Sequence, residues 1–212
     1  MPIPRRRLLD RNVQQRDARL FLVVTEGART EPEYLRALED TRVLPVERIR
    51  LHVRGPDAGA SAPRHLVGLA EESRAAITPW QPDDEVWLVF DVDLHSGSNR
   101  LDQVRETVRE AQARGWHVAV SNPCFELWYL FHGDYPSDEV PSSCREVGDA
   151  VRAALGSYNK SHVPQAALDV ARLRAAQAVA RQRDLAPDAP VPALGVTRVY
   201  RLIDALLDRA RA

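Results

Sequence analysis

The sequence is poor in cysteine and has no long apolar run, and each shortage excludes a class of protein. Its only cysteines, Cys124 and Cys144, are separated by nineteen residues, which is not the paired spacing of a zinc site. No stretch reaches the ~18 apolar residues that span a bilayer. No apolar segment of a secretion signal follows the arginines at residues 5–7. We therefore expect a soluble, cytoplasmic protein that does not contact membranes.

Several enzyme motifs are missing as well. The absence of a Gly-x-x-x-x-Gly-Lys-Ser/Thr loop excludes the usual site of ATP hydrolysis, and neither Gly-x-Gly-x-x-Gly nor Gly-x-Ser-x-Gly occurs. Aromatic residues make up only 6% of the chain, so a passive single-strand binder with stacking platforms is not expected. The segment 91–102 approaches an EF-hand loop, but its glycine stands at the seventh position instead of the sixth. That interpretation is rejected.

The composition predicts a folded core and an uneven distribution of positive charge. Of the 212 residues, 44% are hydrophobic and 28% are charged, and the net charge of -1 argues against a uniformly basic nucleic-acid binder. Residues 1–20 nevertheless hold six arginines and two aspartates. We therefore predict a basic, solvated tail over residues 1–14. After this tail we predict an α/β core over residues 15–135 and a helical C-terminal part over residues 136–212 that packs on the core.

Apolar strands alternate with amphipathic helices in the first part of the chain, which predicts a four-stranded parallel sheet with flanking helices. Thr30 with Glu33 forms a potential capping box, and Ser61, Pro63 and Asn99 mark two further helix starts. Later segments are predicted to be helical. The predicted strands are 20–24, 48–53, 86–90 and 116–120, in the spatial order 2-1-3-4, and the later helices are 123–131, 146–155, 164–183 and 197–211.

Two aspartates end the most apolar of these strands. Asp91 and Asp93 follow the run 86–90, and both side chains point the same way if the strand persists to Asp93. Two like charges at the mouth of a buried strand repel each other, and a divalent cation between them is the simplest remedy. The structural alternative is that both carboxylates cap a turn and bind the following amides.

Glu26 follows the first predicted strand and is expected at the same edge of the sheet, because the carboxyl ends of parallel strands meet there. Three carboxylates, those of Glu26, Asp91 and Asp93, predict a Mg²⁺ or Mn²⁺ site with room for water and a phosphate. Such a site serves phosphoryl transfer or phosphodiester hydrolysis. Glu26 is also a candidate general base.

Glu126 is the only charged residue in the apolar segment 123–131. A buried carboxylate requires a partner, so we predict either a metal- or water-positioning role or a salt bridge to a buried arginine. Asn122 is expected to cap this helix, whose amino end would favour a substrate phosphate.

Basic residues supply two further phosphate-binding candidates. Lys160 is the only lysine beside 28 arginines (29 basic residues minus one), and its point charge suits a phosphate; the alternative explanation is chance. Arg29 is the second candidate, unless it pairs with an acidic residue of the helix that follows. Glu31 is expected only to favour the helix dipole. His52 and His95 are candidate proton carriers to which we assign no role.

Four segments together resemble the RloB-like family. They are Glu-Gly-Ala-Arg-Thr-Glu-Pro-Glu-Tyr at 26–34, Trp-Leu-Val-Phe-Asp-Val-Asp at 87–93, Ser-Asn-Pro-Cys-Phe-Glu-Leu-Trp at 121–128 and Tyr-Asn-Lys at 158–160. Within them, Glu26-Gly27 and Asp91-Val92-Asp93 resemble the Toprim catalytic pattern of primases, topoisomerases and OLD-type nucleases. The resemblance implies a Toprim-like fold, a Mg²⁺-dependent nuclease of bacterial defence against phage, and a partner ATPase of the ABC/SMC type.

The sequence therefore predicts a metal-dependent nuclease acting on DNA or RNA, with tRNA as one possible substrate. Two alternatives stay open. One is a non-catalytic docking or effector subunit of the ATPase, and the other is a primase-like nucleotidyl transferase that uses the same metal chemistry. The number of metal ions and the formation of a homo-oligomer are also left open.

Overall fold

The chain folds around one mixed β-sheet. The computed structural model describes residues 18–44, 47–56, 62–93, 99–134, 140–156, 158–159 and 162–208. Five strands form the sheet, and the last of them is antiparallel to its neighbour while the other pairs are parallel. The strands are β1 Arg19–Thr25, β2 Ile49–Arg54, β3 Glu85–Asp91, β4 His117–Asn122 and β5 Val196–Thr197, in the spatial order β2-β1-β3-β4-β5.

Helices cover both faces of this sheet. Alternate residues of β1 and β3 point to opposite faces, so each strand contributes to two apolar clusters. The helices are α1 Thr30–Asp40, α2 Pro63–Ala76, α3 Arg100–Ala113, α4 Glu126–Leu130, α5 Cys144–Leu155, α6 Val170–Arg183 and α7 Val199–Asp208. Helices α2 and α3 pack on one face, while α1, α4, α5, α6 and α7 contribute to the cluster on the other face.

The predicted order of the first four strands is confirmed, but the predicted number of strands is wrong. The fifth strand pairs Thr197 with Ser121 and Val196 with Asn122, and the Ser121 and Thr197 hydroxyls lie 2.8 Å apart. A two-residue strand is too short to show an alternating pattern, which explains why the sequence did not reveal it. The helix expected from residue 197 therefore begins only at Val199.

The helix predicted over 164–183 is interrupted. A short 3₁₀ helix covers Gln165–Leu168, and α6 begins at Val170. Asp169 separates the two because its carboxylate accepts a hydrogen bond from the Arg172 amide at 2.9 Å, which is the contact of an N-terminal cap.

The structure corrects three predicted helix caps. Arg29, not Thr30, precedes α1, and no side chain caps that helix. Asn99 holds the position before α3 without a capping hydrogen bond. Asn122 does not cap α4, which starts later than predicted, after Phe125. The start of α2 at Pro63 agrees with the prediction, although Ser61 lies outside the described residues and Ala62 takes the cap position.

The predicted tail 1–14 also lies outside the described residues, which begin at residue 18. Within the described residues, no helix has the length and apolar character needed to cross a membrane. The boundaries 15–135 and 136–212 remain predictions. The C-terminal part does contribute β5 to the sheet and apolar side chains to the shared core.

Candidate functional site

A cavity of about 640 Å³ opens at the carboxyl edge of the sheet. Residues that follow β1, β3 and β4 line it, together with residues at the first turns of α1, α2 and α3. It contains the predicted residues Glu26, Asp91, Asp93, Glu126 and Arg29, and so the structure brings together five candidates from three segments of the sequence. The acidic lining residues are Glu26, Glu31, Asp91, Asp93 and Glu126, and the basic ones are Arg29, Arg64 and Arg100.

The ends of β1 and β3 hold Glu26 and Asp91 next to each other. The Glu26 amide donates to the Val89 carbonyl at 2.9 Å and continues the pairing of the two strands. The Asp91 amide in turn donates to Oε2 of Glu26 at 3.2 Å. Oδ1 of Asp91 is buried and has no hydrogen-bond partner among the described residues. A buried carboxylate oxygen in this state is costly, and it marks a position where a cation would be stabilising.

Asp93 reaches the cavity by a different route from the one predicted. Strand β3 ends at Asp91, and Asp93 has a φ of 29° in the left-handed region, so strand alternation does not align the two side chains. The Asp93 amide donates instead to the Pro123 carbonyl at 3.1 Å. This turn after β3 is what brings Asp93 to the cavity wall.

Glu31 is a site residue that the sequence analysis missed. It lies in the first turn of α1, is buried, and accepts a hydrogen bond from the Gly27 amide at 3.2 Å. A Cβ atom on Gly27 would lie 2.0 Å from Oε2 of Glu31. Acidic residues in the first turn of a helix usually face solvent, so the sequence did not indicate that Glu31 is buried. The short distance between Glu31 and Gly27 in the folded chain shows that it is.

Burial and neighbouring carboxylates disfavour the ionisation of Asp91 and Glu31. Burial raises the pKa of Asp91 well above its usual range, and the charges of Glu31, Glu126 and Glu26 raise it further. Burial also raises the pKa of Glu31 from 4.5 to about 7, with Glu126 and Glu26 adding to the shift. The cavity therefore holds more negative charge than its buried surroundings stabilise.

Glu126 has a partner other than the one predicted. Its Oε1 accepts a hydrogen bond from the Tyr158 hydroxyl at 2.8 Å in the protein interior. No arginine of the described residues forms a salt bridge with Glu126, so the described part of the chain gives that alternative no support. Burial and the charge of Glu126 raise the pKa of Tyr158 above its ordinary value. The tyrosine therefore remains a hydrogen-bond donor.

Both cysteines line the cavity beside these carboxylates. Cys124 is buried, Cys144 is partly exposed, and both are free thiols. A hydrogen bond with Cys144, burial and the nearby carboxylates raise the pKa of the Cys124 thiol. Cys124 is therefore a neutral polar neighbour of the acidic cluster.

Arg100, the first residue of α3, is the second site residue that the sequence analysis missed. Its side chain is only 7% exposed, and its Nη2 lies 2.7 Å from Oε2 of Glu26. The guanidinium also donates to the Asp91 carbonyl at 2.6 Å and to the Val92 carbonyl at 3.0 Å. Arg29 and Arg64, in contrast, are exposed at the cavity rim.

Two further candidates, Asn122 and His52, do not line the cavity. The Asn122 side chain donates to the Pro192 carbonyl at 2.9 Å, so it anchors the segment before β5 and its predicted phosphate contact has no structural support. His52 is exposed on β2, away from the cavity lining. Lys160 and His95 lie outside the described residues.

The side chains fit a divalent metal ion in donor chemistry and in charge. Carboxylate oxygens are the ligands that Mg²⁺ and Mn²⁺ prefer, and the unpaired Oδ1 of Asp91 lies among them. The geometry of a metal site is not formed, because the part of the chain that the structure describes contains no set of three acidic, histidine or cysteine side chains placed to hold an ion. Glu26 is engaged by Arg100 instead.

Comparison with known protein families matches residues 21–206 to RloB-like proteins. The chain belongs to the RloB-like family. The match contains the cavity-lining residues from Glu26 to Cys144, and it confirms the resemblance carried by the four sequence motifs. Comparison with curated proteins found no match for this RloB-like chain, and comparison with solved structures found none.

The close approach of Gly27 to Glu31 leads to a testable prediction. We expect Gly27→Ala to lower the free energy of unfolding by about 1 kcal/mol, because the new methyl group displaces the carboxylate end of Glu31 and breaks its hydrogen bond with the Gly27 amide. Chemical denaturation would measure the change. In a Glu31→Ala background the same substitution should cost much less.

Gly68→Ala is the matched control for this prediction. Gly68 lies in α2, and a Cβ there has no neighbour within 4 Å, so alanine should stabilise the helix by about 0.5–1 kcal/mol. A loss of stability at Gly27 that persists in the Glu31→Ala background would contradict the proposed cause.

Glu31 also predicts a dependence of stability on pH. Its folded-state pKa of about 7 lies above the ordinary value of 4.5, so its stabilising contribution is complete below pH 4.5 and is lost as the pH rises through 7. We expect Glu31→Gln to leave stability unchanged near pH 4.5 and to raise it at pH 8 by up to about 3 kcal/mol. Urea unfolding at both pH values measures this difference.

Glu33→Gln controls for the removal of one acidic charge from the same helical turn, since Glu33 is only half-buried. If Glu31→Gln and Glu33→Gln gave the same stability change at pH 8, burial of Glu31 would not be the cause.

Proposed function

We propose that this RloB-like protein is a metal-dependent phosphodiesterase that cleaves DNA or RNA. The observation that carries the proposal is the buried Oδ1 of Asp91, which lies at a strand end beside Glu26 and has no hydrogen-bond partner among the described residues, within a cluster of carboxylates whose charges raise the pKa of Asp91. Excess buried negative charge on hard oxygen ligands suits Mg²⁺ or Mn²⁺. The proposal assigns metal binding to Glu26, Asp91 and Asp93, with Glu126 in support.

In this proposal the chain's own residues bind and orient the substrate. The metal, when bound, neutralises the charge that develops on the phosphodiester. The exposed guanidinium of Arg29 at the cavity rim contacts a substrate phosphate. Tyr158 holds the Glu126 carboxylate through its hydroxyl, which keeps that side chain directed at the cavity.

The same proposal includes a Toprim-like core, a role in anti-phage defence and a partner ATPase, which the family resemblance implies. The parallel order β2-β1-β3-β4 and the carboxylates at its carboxyl edge support a Toprim-like core. Family membership supports a role in anti-phage defence with an ABC/SMC-type ATPase, and a tRNA is one possible substrate.

Calorimetric titration of Mg²⁺ and Mn²⁺ tests the metal site. We expect the wild type to bind at least one of the two ions and the double variant Asp91→Asn/Asp93→Asn to bind neither, with folding of both proteins checked by circular dichroism. Cleavage of duplex DNA, single-stranded RNA and tRNA, with and without the ATPase, then identifies the substrate. A wild type that binds no metal, even with nucleic acid present, would refute the proposal.

The second candidate function is a non-catalytic docking subunit of the ATPase. The observation that favours it is the lack, among the described side chains, of three acidic, histidine or cysteine groups placed to hold a metal. A folded wild type without metal affinity that still binds the ATPase would support this candidate. Incorporation of labelled nucleotide would instead indicate a primase-like nucleotidyl transferase.

A further inference from the structure

Arg100 places a buried positive charge inside the carboxylate cavity. One nitrogen, Nη2, contacts both Oε2 of Glu26 at 2.7 Å and the Asp91 carbonyl at 2.6 Å. Nε donates to the Val92 carbonyl at 3.0 Å. The guanidinium thus joins the ends of β1 and β3 at the point where the proposed metal ligands converge.

This cation compensates only part of the buried negative charge. The ion pair satisfies Oε2 of Glu26, whereas Oδ1 of Asp91 has no partner in the part of the chain that the structure describes. A divalent cation bound between these two carboxylates would compete with Arg100 for Glu26. Monovalent arginine and divalent metal are therefore alternative partners of the same carboxylate.

Hydrogen bonds from Arg100 to backbone carbonyls keep the free-energy cost of exchanging Arg100 for a metal ion at Glu26 small. The hydrogen bonds from Arg100 to the Asp91 and Val92 carbonyls do not involve Glu26. If Glu26 turns to a metal ion, the guanidinium keeps two acceptors and is not left buried without partners. Arginine suits this role because its planar group donates in several fixed directions at once.

We propose that Arg100 is the resident counter-ion of the carboxylate site: it holds Glu26 when no metal is bound and competes with the divalent cation for that carboxylate, so that it sets the metal affinity. The inference rests on the proposed function, since it concerns the same site. Arg100 is in this view a positioning residue that acts through Glu26.

Calorimetric titration of Mn²⁺ into Arg100→Gln and Arg100→Lys tests the inference without any activity assay. Removing a charge-assisted contact from Glu26 should tighten Mn²⁺ binding by Arg100→Gln about tenfold or more. Arg100→Lys keeps the charge but not the planar group, and its affinity should lie between those of the wild type and Arg100→Gln. Circular dichroism checks that each variant is folded.

Arg64→Gln is the matched control. It removes the same charge from the rim of the same cavity, where Arg64 contacts His65 at 3.2 Å and makes no contact with Glu26. We expect its effect on Mn²⁺ affinity to be below about threefold, because exposed charges are screened.

The outcomes separate this inference from the proposed function. If the wild type binds Mn²⁺ and the folded Arg100→Gln protein binds it equally or more weakly, the inference is refuted and the metal site stands. Should only Arg100→Gln bind the ion when nucleic acid is absent, competition is supported, and titration of the wild type with nucleic acid present then decides whether the proposed metal site stands. If neither protein binds, both proposals fall. If Arg100→Gln does not fold, Arg100→Lys decides, and binding no tighter than that of the wild type refutes the inference.

Discussion

Asp91→Asn is expected to abolish metal-dependent cleavage and, in the same protein, to increase thermodynamic stability. If Asp91 is a metal ligand of a nuclease, as proposed above, its loss should lower the cleavage rate by about a thousandfold or more, since such a metal contributes several kcal/mol of transition-state stabilisation. Stability should rise at neutral pH because burial and three neighbouring carboxylates disfavour the charge of Asp91. Single-turnover cleavage and urea unfolding in metal-free buffer measure the two effects.

The opposite signs make this prediction specific. If Asp91 only capped a turn, its change to asparagine would lower the stability of the protein or leave it unchanged, and the protein would retain its activity. Asp102→Asn is the control substitution, because Asp102 is 82% exposed on α3 and pairs only with the surface residue Arg105. Its effect on stability should stay below about 0.5 kcal/mol. A less stable Asp91→Asn protein would contradict the electrostatic account.

Arg198→Met is expected to cause a large loss of stability. The side chains of Arg198 and Asp184 are each only 2% exposed, with Nε of the arginine 3.1 Å from the carboxylate. The guanidinium also donates to the carbonyls of Ala186 and Ala189, and methionine would leave these acceptors unsatisfied. Breaking a buried ion pair on one side costs roughly 3–5 kcal/mol; because Arg201 still contacts Asp184, we expect a loss of about 3 kcal/mol, which corresponds to a melting temperature lower by about 10 °C.

Arg201→Met provides the comparison for Arg198→Met. Arg201 contacts the same carboxylate of Asp184 at 3.0 Å, but its side chain is 29% exposed. The expected loss is about 1 kcal/mol, since solvent replaces an exposed partner. Differential scanning calorimetry of both variants would test the difference, and equal losses would show that burial does not decide the contribution of these arginines.

The network around Arg198 matters for the site because it fixes the C-terminal segment to the sheet. The Arg198 amide donates to the Val120 carbonyl at 2.9 Å, directly beside β5. Strand β4 leads into the segment that carries Cys124 and Glu126 to the cavity. We therefore expect destabilisation at Arg198 to disturb the cavity as well as the C-terminal helices.

Much of the fold follows from local sequence patterns. The runs that became β1, β3 and β4 are strongly apolar because both faces of the sheet are covered, and such runs are recognisable without tertiary information. The alternation with helices implies parallel strands, and parallel strands bring Glu26 and Asp91 to one edge. Sequence patterns and motifs alone therefore predict the parallel core, the membership of the family and the meeting of these carboxylates.

The side chains that complete the cavity could be identified only from the folded structure. Arg100 and Glu31 look like ordinary first-turn residues, and only their burial against Glu26 and Gly27 gives them a role. The pairing of Glu126 with Tyr158 joins residues 32 positions apart, and the two-residue strand β5 depends on its contact with β4. Local sequence patterns indicate which face of a helix or strand is apolar. Whether a charged side chain is buried, and which group pairs with it, depends on distant segments that meet only in the folded chain.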